Sequence, residues 1–319
     1  MKLVSSTGNP RLAMVHVAAD ARGRRVEFVD SVQPPRPRSE KWVVIVSTMF
    51  GCPVGCRMCD AGGWTEGRLN AAEILWQVRT AVGLRFPSGR PQTRMLKIQM
   101  ARMGEPSLNP SVIEALAALP AEFPGTRVTA SVSTVAPRRA ERFVERLRQI
   151  KDLRYSGGRF QLQFSIHSTD PEHRSWLCPV ESLSLHQMAA IGKGFRAPGD
   201  RKITLNFCLI EGFPIDMGVI RDTFDPEDFV IKLTPLNPTA AARRWRLSSL
   251  IGPGTESRAR PLVDALAQAG FDVLLSIGEY DENTIGSNCG QYAVRGPALP
   301  SVGAGRFTAR PLVVKAAHG

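Results

Sequence analysis

The chain has 319 residues and a formal net charge of +12; 43% of its residues are hydrophobic and 7% aromatic. No apolar run approaches the ~20 residues that a membrane-spanning helix needs, and residues 1–10 lack the apolar core of a secretory signal. We therefore expect a cytoplasmic protein with reduced thiols and no membrane partner. The charge is compatible with a nucleic-acid partner, but the basic residues are dispersed, so this indication is weak.

The N-terminal segment differs from the rest of the chain. A β-hairpin is predicted here. Its two strands are Leu12–Ala18 and Arg25–Val32, and residues 20–23 form the turn between them. The proline-rich stretch Gln33–Arg38 follows as a stiff, extended connector. Residues 1–40 are therefore predicted to form an N-terminal β-hairpin extension.

Beyond residue 40, predicted strands and helices alternate. Strands are predicted at Trp42–Ser47, Met95–Met100, Arg127–Ser133, Phe160–His167, Lys202–Ile210, Phe229–Pro235 and Phe271–Ile277. Helices are predicted at Ala71–Val82 with Asn70 as its cap, Pro110–Leu119, Pro137–Ile150, Leu183–Ile191 with Gly192 as its stop, Met217–Arg221 and Glu256–Ala269. This order predicts an α/β fold, a partial (β/α)6 barrel over residues 41–295. The Gly/Pro/Arg-rich tail, 296–319, is expected to be loosely ordered or to drape over the surface.

The most informative motif is a run of three cysteines, Cys52, Cys56 and Cys59, with the spacing C-x3-C-x2-C. Three thiolates suit three irons of a [4Fe–4S] cluster and leave the fourth iron open to a ligand. A structural zinc site would need a fourth ligand, for which the next residues offer only Asp60. Disulfides do not fit six cysteines in a chain without a secretory signal.

The cysteine loop follows the predicted strand Trp42–Ser47, at the end of the barrel where functional residues collect. This loop resembles that of the radical S-adenosylmethionine (radical-SAM) superfamily. More narrowly, the chain resembles the RlmN/Cfr family of dual-specificity RNA methyltransferases, which methylate carbon-2 of adenine, and their carbon-8 relatives. The matching segments are Met103–Asn109, Ser133–Val135, Ser165–His167, Arg174, Pro235–Pro238 and Asn288–Gln291.

The resemblance implies that the open iron binds S-adenosylmethionine (SAM) and that a flavodoxin- or ferredoxin-type donor supplies the electron that cleaves it. The implied cofactor-binding residues are Gly104, Glu105, Ser133, Ser165, Ile166, His167 and Asn237. Glu105 would accept a hydrogen bond from the SAM ammonium, although a capping role is the simpler alternative. Ser165 and His167 alternate along a predicted strand, so both are expected on one face, toward the barrel interior; a structural histidine is the alternative.

Cys289, in Cys-Gly-Gln, carries the sharpest hypothesis. The resemblance implies that one SAM methylates it and that a second provides a radical, which takes a hydrogen from the S-methyl group. The S-CH2 radical then adds to an sp2 carbon of the substrate. Glu27 resembles the family's proton acceptor. The simpler alternatives are a small buried thiol for Cys289 and an exposed hairpin carboxylate for Glu27.

Several departures from the family pattern point to an altered substrate. Ile45 stands where the family has its resolving cysteine. Cys208 could replace it, because Thr204, Asn206 and Cys208 share one strand face; Cys178 is a weaker candidate, and both could simply be packing residues.

The other departures concern size, charge and the adenine contact. We expect the chain to lack the family's N-terminal helical domain. The segment before Cys289 is acidic, at residues 279–282, which disfavours a phosphate backbone. Met58 stands where many radical-SAM enzymes place an aromatic residue against adenine.

The sequence therefore predicts a radical-SAM C-methyltransferase, or a related one-carbon transfer through methylated Cys289, with [4Fe–4S] and SAM as cofactors. The substrate is a small molecule or peptide at least as readily as RNA. The alternatives are direct hydrogen abstraction by the 5′-deoxyadenosyl radical, an RNA methyltransferase, and a non-enzymatic iron–sulfur protein that binds RNA.

Overall fold

Eleven strands of the computed structural model form one mixed sheet, and two further strands form a small hairpin. The structure describes residues 1–278, 281–287, 293 and 312–315. The described strands are β1 Lys2–Asn9, β2 Ala13–Ala19, β3 Arg25–Val32, β4 Trp42–Val46, β5 Met49–Cys52, β6 Trp64–Arg68, β7 Leu96–Met100, β8 Val128–Thr134, β9 Phe160–Ser165, β10 Ile203–Leu209, β11 Phe229–Pro235, β12 Asp272–Leu275 and β13 Leu312–Val314.

The described α-helices are α1 Ala71–Arg85, α2 Ser111–Glu122, α3 Ala140–Arg154, α4 Pro171–Leu177, α5 Leu185–Phe195, α6 Met217–Thr223, α7 Ala240–Arg244, α8 Arg260–Gln268 and α9 Asp281–Ile285. Short 3₁₀ turns occupy Pro106–Leu108 and Glu256–Ala259. Asn70 caps α1 as predicted: its side chain accepts from the Glu73 N–H, and the Glu73 carboxylate accepts from the Asn70 N–H, at 2.9 Å each.

The order of strands in the large sheet is β1-β2-β3-β4-β7-β8-β9-β10-β11-β12-β13. From β4 through β12 every neighbouring pair is parallel, whereas β1–β3 and β13 pair antiparallel at the two sides. Among the described residues no pairing joins β1 to β13, so the sheet has two edges. The predicted α/β architecture with a mostly parallel, incompletely closed sheet is confirmed.

The two faces of the parallel strands have different chemistry. In β9, Phe160, Leu162 and Phe164 belong to the apolar core that the sheet shares with helix residues such as Val78, Leu116 and Met188. The alternate residues of β9, namely Gln161, Gln163 and Ser165, are partly exposed on the opposite face. We call this opposite, polar face of the parallel strands the inner face.

Two expectations about local structure are wrong. Gly192 does not end its helix, because α5 continues to Phe195. A Cβ on Gly192 would lie 2.6 Å from the Phe229 ring, so glycine allows the helix to press against β11. The strand predicted at Phe160–His167 ends at Ser165, and His167 has a left-handed φ of 66°. Ser165 and His167 therefore do not share a strand face.

The sheet also extends beyond the predicted strands. β1 was not predicted, and it pairs along β2 on the outer side of the hairpin. In the tail, residues 312–314 pair with β12 instead of draping over the surface. The division into residues 1–40, 41–295 and 296–319 stays a prediction. None of the described helices is long and apolar enough to cross a membrane.

Candidate active site

The three cysteines lie on the loop that connects β5 to β6. Cys52 is the last residue of β5 and pairs with Trp64. The loop closes on itself through three backbone bonds: Cys59 N–H to Cys56 O at 3.0 Å, Gly62 N–H to Cys59 O at 3.3 Å and Gly63 N–H to Cys52 O at 3.2 Å. All three thiol residues are partly exposed. The loop is therefore a defined turn that carries all three cysteines.

The cysteine loop is tied to the segments that follow two distant strands. The Arg57 N–H donates to Leu177 O at 2.8 Å, at the end of α4. The Thr239 hydroxyl donates to Met58 O at 2.9 Å, and the Asp60 carboxylate accepts from Ala241 N–H at 2.7 Å. Asp60 thereby caps α7, so the residue that the zinc alternative needs as fourth ligand is already engaged.

Burial and backbone amides act on the cysteine thiols in opposite directions. Burial raises the pKa of Cys52 to about 12, against the opposing effect of the Val54 and Gly55 N–H groups that donate to its sulfur. A hydrogen bond with the Cys178 thiol, together with burial, raises the pKa of Cys56 well above its ordinary value. Iron would displace these protons, and amide donors to cluster sulfurs are a usual feature of such sites.

No disulfide joins the five described cysteines. Within the described ranges, no three His, Cys, Asp or Glu side chains are gathered as a site for a single metal ion. The donor set of the loop is three soft thiols at short spacing, which suits a cluster that contacts each sulfur through a different iron.

Gly104 and Glu105 follow β7, directly beside β5. Gly104 has a φ of 97°, and a Cβ there would lie 2.6 Å from Met49, so only glycine fits this turn. The buried Glu105 carboxylate accepts hydrogen bonds from Ser107 N–H at 3.0 Å, Thr134 Oγ1 at 2.5 Å and Val135 N–H at 3.0 Å. Glu105 thus caps a 3₁₀ turn and joins the ends of β7 and β8; its contact with SAM stays a prediction.

Ser133 and Ser165 lie on the inner face, near the ends of β8 and β9. Ser133 is in register with Gln163, and Ser165 is in register with Asn206. Ile166 instead belongs to the apolar core. Asn237 follows β11 directly, and its carbonyl accepts from the Thr239 N–H at 2.8 Å. The predicted cofactor residues thus lie at the carboxyl ends of β7, β8, β9 and β11, although Ile166 turns away from the inner face.

His167 and Cys208 are direct neighbours. The Cys208 N–H donates to Nδ1 of His167 at 3.2 Å, which leaves the ring proton on Nε2 of a neutral imidazole. Burial lowers the pKa of His167 to about 3, and the Arg174 charge acts in the same direction. His167 therefore accepts a hydrogen bond from the backbone of β10, and its predicted contact with SAM stays a prediction.

Cys208 lies on the inner face, as the alternation of Thr204, Asn206 and Cys208 predicts. It packs in one apolar cluster with Val54 and Cys178, and Cys52, Cys56 and Met58 border that cluster. The Cys208 Sγ lies 3.5 Å from Pro235 O. Both thiols that the sequence offers as replacements for a resolving cysteine are therefore beside the cysteine loop.

Glu27 is fully buried on β3, so the alternative of an exposed hairpin glutamate is wrong. Its carboxylate pairs with Arg102 at 2.9 Å. The same guanidinium donates to Gly286 O and Ser287 O, each at 2.8 Å, and the Ala293 N–H points at the other Glu27 oxygen at 3.4 Å. Arg102 was missed because nothing in its local sequence marks it as buried.

Cys289 itself lies outside the described residues, as does Glu279. The nearest described residues on either side of Cys289, Ser287 and Ala293, both contact the Glu27–Arg102 pair. Ile45 lies opposite Val29 of β3 and packs in an apolar cluster with Ile285 of α9. An apolar side chain, that of Ile45, thus occupies the position where the family has its resolving cysteine.

A cluster of exposed aromatic residues beside the cysteine loop was also missed. The Arg57 guanidinium lies over Trp176 and over Trp245, at 4.5 Å from each ring centroid. Trp176 is 39% and Trp245 44% exposed. The two rings are 69 residues apart in sequence, so no local pattern could reveal the cluster.

Comparison with known proteins first defines the class of the fold. A radical SAM methyltransferase from Sphaerobacter thermophilus superposes with a TM-score of 0.69 at 23% identity, over 91% of this chain and 80% of that one. The fold is therefore that of a radical-SAM methyltransferase. No protein-family model matches the chain.

Relatives found by sequence then show which radical-SAM methyltransferases the chain resembles. A probable dual-specificity RNA methyltransferase RlmN of Chlorobium phaeobacteroides is 30% identical over 260 residues, which cover 73% of this chain and 66% of that protein. The RlmN of Sorangium cellulosum is 27% identical over 267 residues, 81% of this chain and 62% of that protein. The predicted resemblance to this family is confirmed, and the chain spans just under two thirds of these relatives. Radical-SAM methyltransferases use a [4Fe–4S] cluster and SAM, which are the predicted cofactors.

Proposed function

We propose that this protein is a radical-SAM C-methyltransferase, or performs a related one-carbon transfer, and that methylated Cys289 delivers carbon to an sp2 carbon of its substrate. The family resemblance supports the class of reaction. One structural observation carries the assignment of Cys289: the described residues that flank it on both sides, Ser287 and Ala293, contact the buried Glu27–Arg102 pair.

Cys52, Cys56 and Cys59 would hold the cluster, and Gly104, Glu105, Ser133, Ser165 and Asn237 are the residues proposed to surround SAM. When bound, the cluster and SAM supply a methyl group and, with an electron from a flavodoxin- or ferredoxin-type donor, a 5′-deoxyadenosyl radical. The chain's part is to orient them at the carboxyl ends of β8, β9 and β11. The Glu105 carboxylate fixes the ends of β7 and β8 relative to each other.

Cys289 would take the methyl group as its thiolate, lose a hydrogen atom from that S-methyl group and form the new carbon–carbon bond. Glu27 would then take the proton that the substrate carbon loses. Its carboxylate is already aimed at the Cys289 segment through the Ala293 N–H. Cys208 is the proposed second thiol: as its thiolate it would bond to the Cys289 sulfur while that sulfur's bond to the transferred carbon breaks. The carbon takes a proton and becomes the methyl group of the product, and the one electron left over from the radical adduct passes to a flavodoxin- or ferredoxin-type partner.

A small molecule or peptide is the proposed substrate. The described acidic residues Asp281 and Glu282 open α9, eight and seven residues before Cys289 in sequence, and would repel a phosphate backbone at this position.

The test is to purify the protein without oxygen, reconstitute the cluster, add SAM and map the Cys289 peptide by mass spectrometry. One added methyl group on Cys289 is expected. The Cys289→Ala variant serves as control: it should keep SAM cleavage but carry no methyl group at this position. An unmodified Cys289 in protein that still cleaves SAM would contradict the proposal and favour direct hydrogen abstraction from the substrate.

RNA methylation is a second candidate, because exposed Trp176 and Trp245 with Arg57 form the kind of stacking surface that single-stranded nucleic acids use. In that case RNA binding should weaken steeply with salt and should fall when both tryptophans are changed to alanine. A salt-independent or tryptophan-independent interaction would remove this candidate.

A further inference from the structure

Two lysines project from the inner face of the sheet. Lys97 on β7 alternates with the core residues Leu96 and Ile98, and Lys232 on β11 alternates with Ile231 and Leu233. Three strands separate β7 from β11 in the sheet order. Both side chains nevertheless face the same side of the sheet, and the Lys232 charge is among the causes that lower the pKa of Lys97, after burial and the Lys41 charge.

This interior has an uncompensated positive charge. Burial lowers the pKa of Lys97 well below its ordinary value, and the charges of Lys41, Lys232 and Arg201 lower it further. Burial alone lowers the pKa of Lys232. Both lysines are partly exposed on the inner face, and within the described part of the chain neither ammonium has an ion-pair partner.

Two unsatisfied polar atoms lie beside these lysines. Thr129 is in register with Lys97, and Asn206 is in register with Lys232, each on the adjacent strand. The Thr129 Oγ1 and the Asn206 Oδ1 are buried and lack a hydrogen-bond partner; Thr129 is 0% and Asn206 8% exposed. Buried polar groups in folded proteins are nearly always satisfied, so paired orphans at one site indicate a ligand.

We propose that the inner face of the sheet binds an oxyanion group, a carboxylate or a phosphate, of a small acceptor substrate, with Lys97 and Lys232 as its cationic contacts. The Thr129 hydroxyl can donate to the same group. The Asn206 Oδ1 accepts a hydrogen bond from an N–H or O–H elsewhere on the molecule. That the ligand is the acceptor substrate rests on the function proposed above; the anion site itself does not.

The position of the lysines suits this role. Ser165, Asn206 and Lys232 lie in one row across β9, β10 and β11. Lys97 lies nearer the amino ends of the strands, on the same side as Lys41 and Arg201. A molecule held by these cations would therefore extend from the depth of the interior toward Ser165 and the carboxyl ends, where the cysteine loop begins.

The experiment measures thermal unfolding of the cluster-loaded protein without SAM, under anaerobic conditions. Inorganic phosphate and succinate are titrated separately at constant ionic strength. At least one probe is expected to raise Tm in a saturable manner. Lys97→Met and Lys232→Met should each abolish the shift, Lys97→Arg and Lys232→Arg should retain it, and Lys193→Met, at an exposed position of α5, should behave as wild type.

A shift with phosphate alone would identify a phosphorylated substrate, and a shift with succinate alone a carboxylate. No shift with either probe in the wild-type protein would overturn the proposal, as would equal shifts in the Lys97→Met, Lys232→Met and Lys193→Met variants. If a methionine variant does not fold, Lys97→Gln or Lys232→Gln takes its place, and the Tm shift is again expected to be lost. The readout needs neither SAM nor turnover, so its failure is distinct from a failure to find methylated Cys289.

Discussion

Glu27 and Arg102 form a fully buried ion pair, 2.9 Å between carboxylate and guanidinium, that joins β3 to the segment after β7. The pair also reaches the backbone of Gly286, Ser287 and Ala293. Its two members are 75 residues apart, and the segment they hold is almost 200 residues further on. This contact connects the N-terminal hairpin with the C-terminal region of the proposed site.

Removing one member of this pair should strongly destabilise the protein. Arg102→Met removes the guanidinium charge from the buried Glu27 carboxylate and takes the donors away from two backbone carbonyls, which costs about 3–5 kcal/mol. Denaturant unfolding measures the loss. The exposed Arg138–Glu181 pair provides the matched control, since Arg138→Met should change little.

The double variant Glu27→Gln/Arg102→Met should recover part of this loss, because no buried charge remains. Hydrogen exchange at residues 286 and 287 should accelerate in the single variant, where the carbonyl contacts are gone. An Arg102→Met protein as stable as wild type would refute the structural role of the pair.

The three cysteines of the loop should be the protein ligands that hold the cluster iron. Alanine at Cys52, Cys56 or Cys59 removes one of the three thiolates and should abolish bound iron and SAM cleavage together. Iron analysis and the visible absorption spectrum after reconstitution measure this effect. Cys178→Ala is the control: its thiol touches Cys56 but lies in another loop, so iron content should persist. Loss of iron in that variant would instead make Cys178 a ligand.

His167 should make stability depend on pH. Its pKa is about 3 in the folded protein against 6.5 ordinarily. Between these values the unfolded chain binds a proton that the folded chain does not, so stability is complete above pH 6.5 and falls as the pH is lowered. From pH 7.5 to 5.5 the loss is about 1.4 kcal/mol.

Urea unfolding at both pH values tests this dependence. His167→Gln should flatten it, while exposed His186→Gln should leave it unchanged. The same slope in wild type and His167→Gln would mean that His167 is not the neutral, buried acceptor described above.

Cys208 should be needed for release of product, not for methylation of Cys289. In Cys208→Ala, mass spectrometry should find methylated Cys289 and, with substrate, an accumulated covalent adduct. Cys178→Ala should turn over normally if Cys208 is the second thiol. Full turnover by Cys208→Ala would show that Cys208 is a packing residue and not the second thiol.

Much of the fold follows from local patterns. The helix at residues 71–85 begins where Asn70 can cap it, and the strand at 229–235 has the predicted bounds. The failures have tertiary causes. β1 is almost entirely exposed and exists through its pairing with β2, so its sequence lacks an apolar alternation. Gly192 lies inside α5, where the Phe229 ring leaves no room for a Cβ, so its role is close packing against β11 and not the end of the helix.

The sequence predicted the parts of the site whose residues are close together in the chain, and it missed those whose residues are far apart. The three cysteines occur within eight residues, and their spacing alone indicated the cluster. Lys97 and Lys232 lie on strands far apart in sequence and share the inner face only in the folded sheet, and Arg102 becomes significant only because Glu27 lies beside it. The left-handed turn at His167 is fixed by its contacts with β10, which the strand pattern of Phe160–Ser165 does not reveal.

The stack of Arg57 between Trp176 and Trp245 has an experimental use. Arg57 stands between the second and third cysteines, so any rearrangement of the loop on gain or loss of iron must move the cation between two indole rings. Both rings are partly open to solvent, unlike buried Trp42. Tryptophan emission should therefore report the state of the loop in real time, without a label and without turnover.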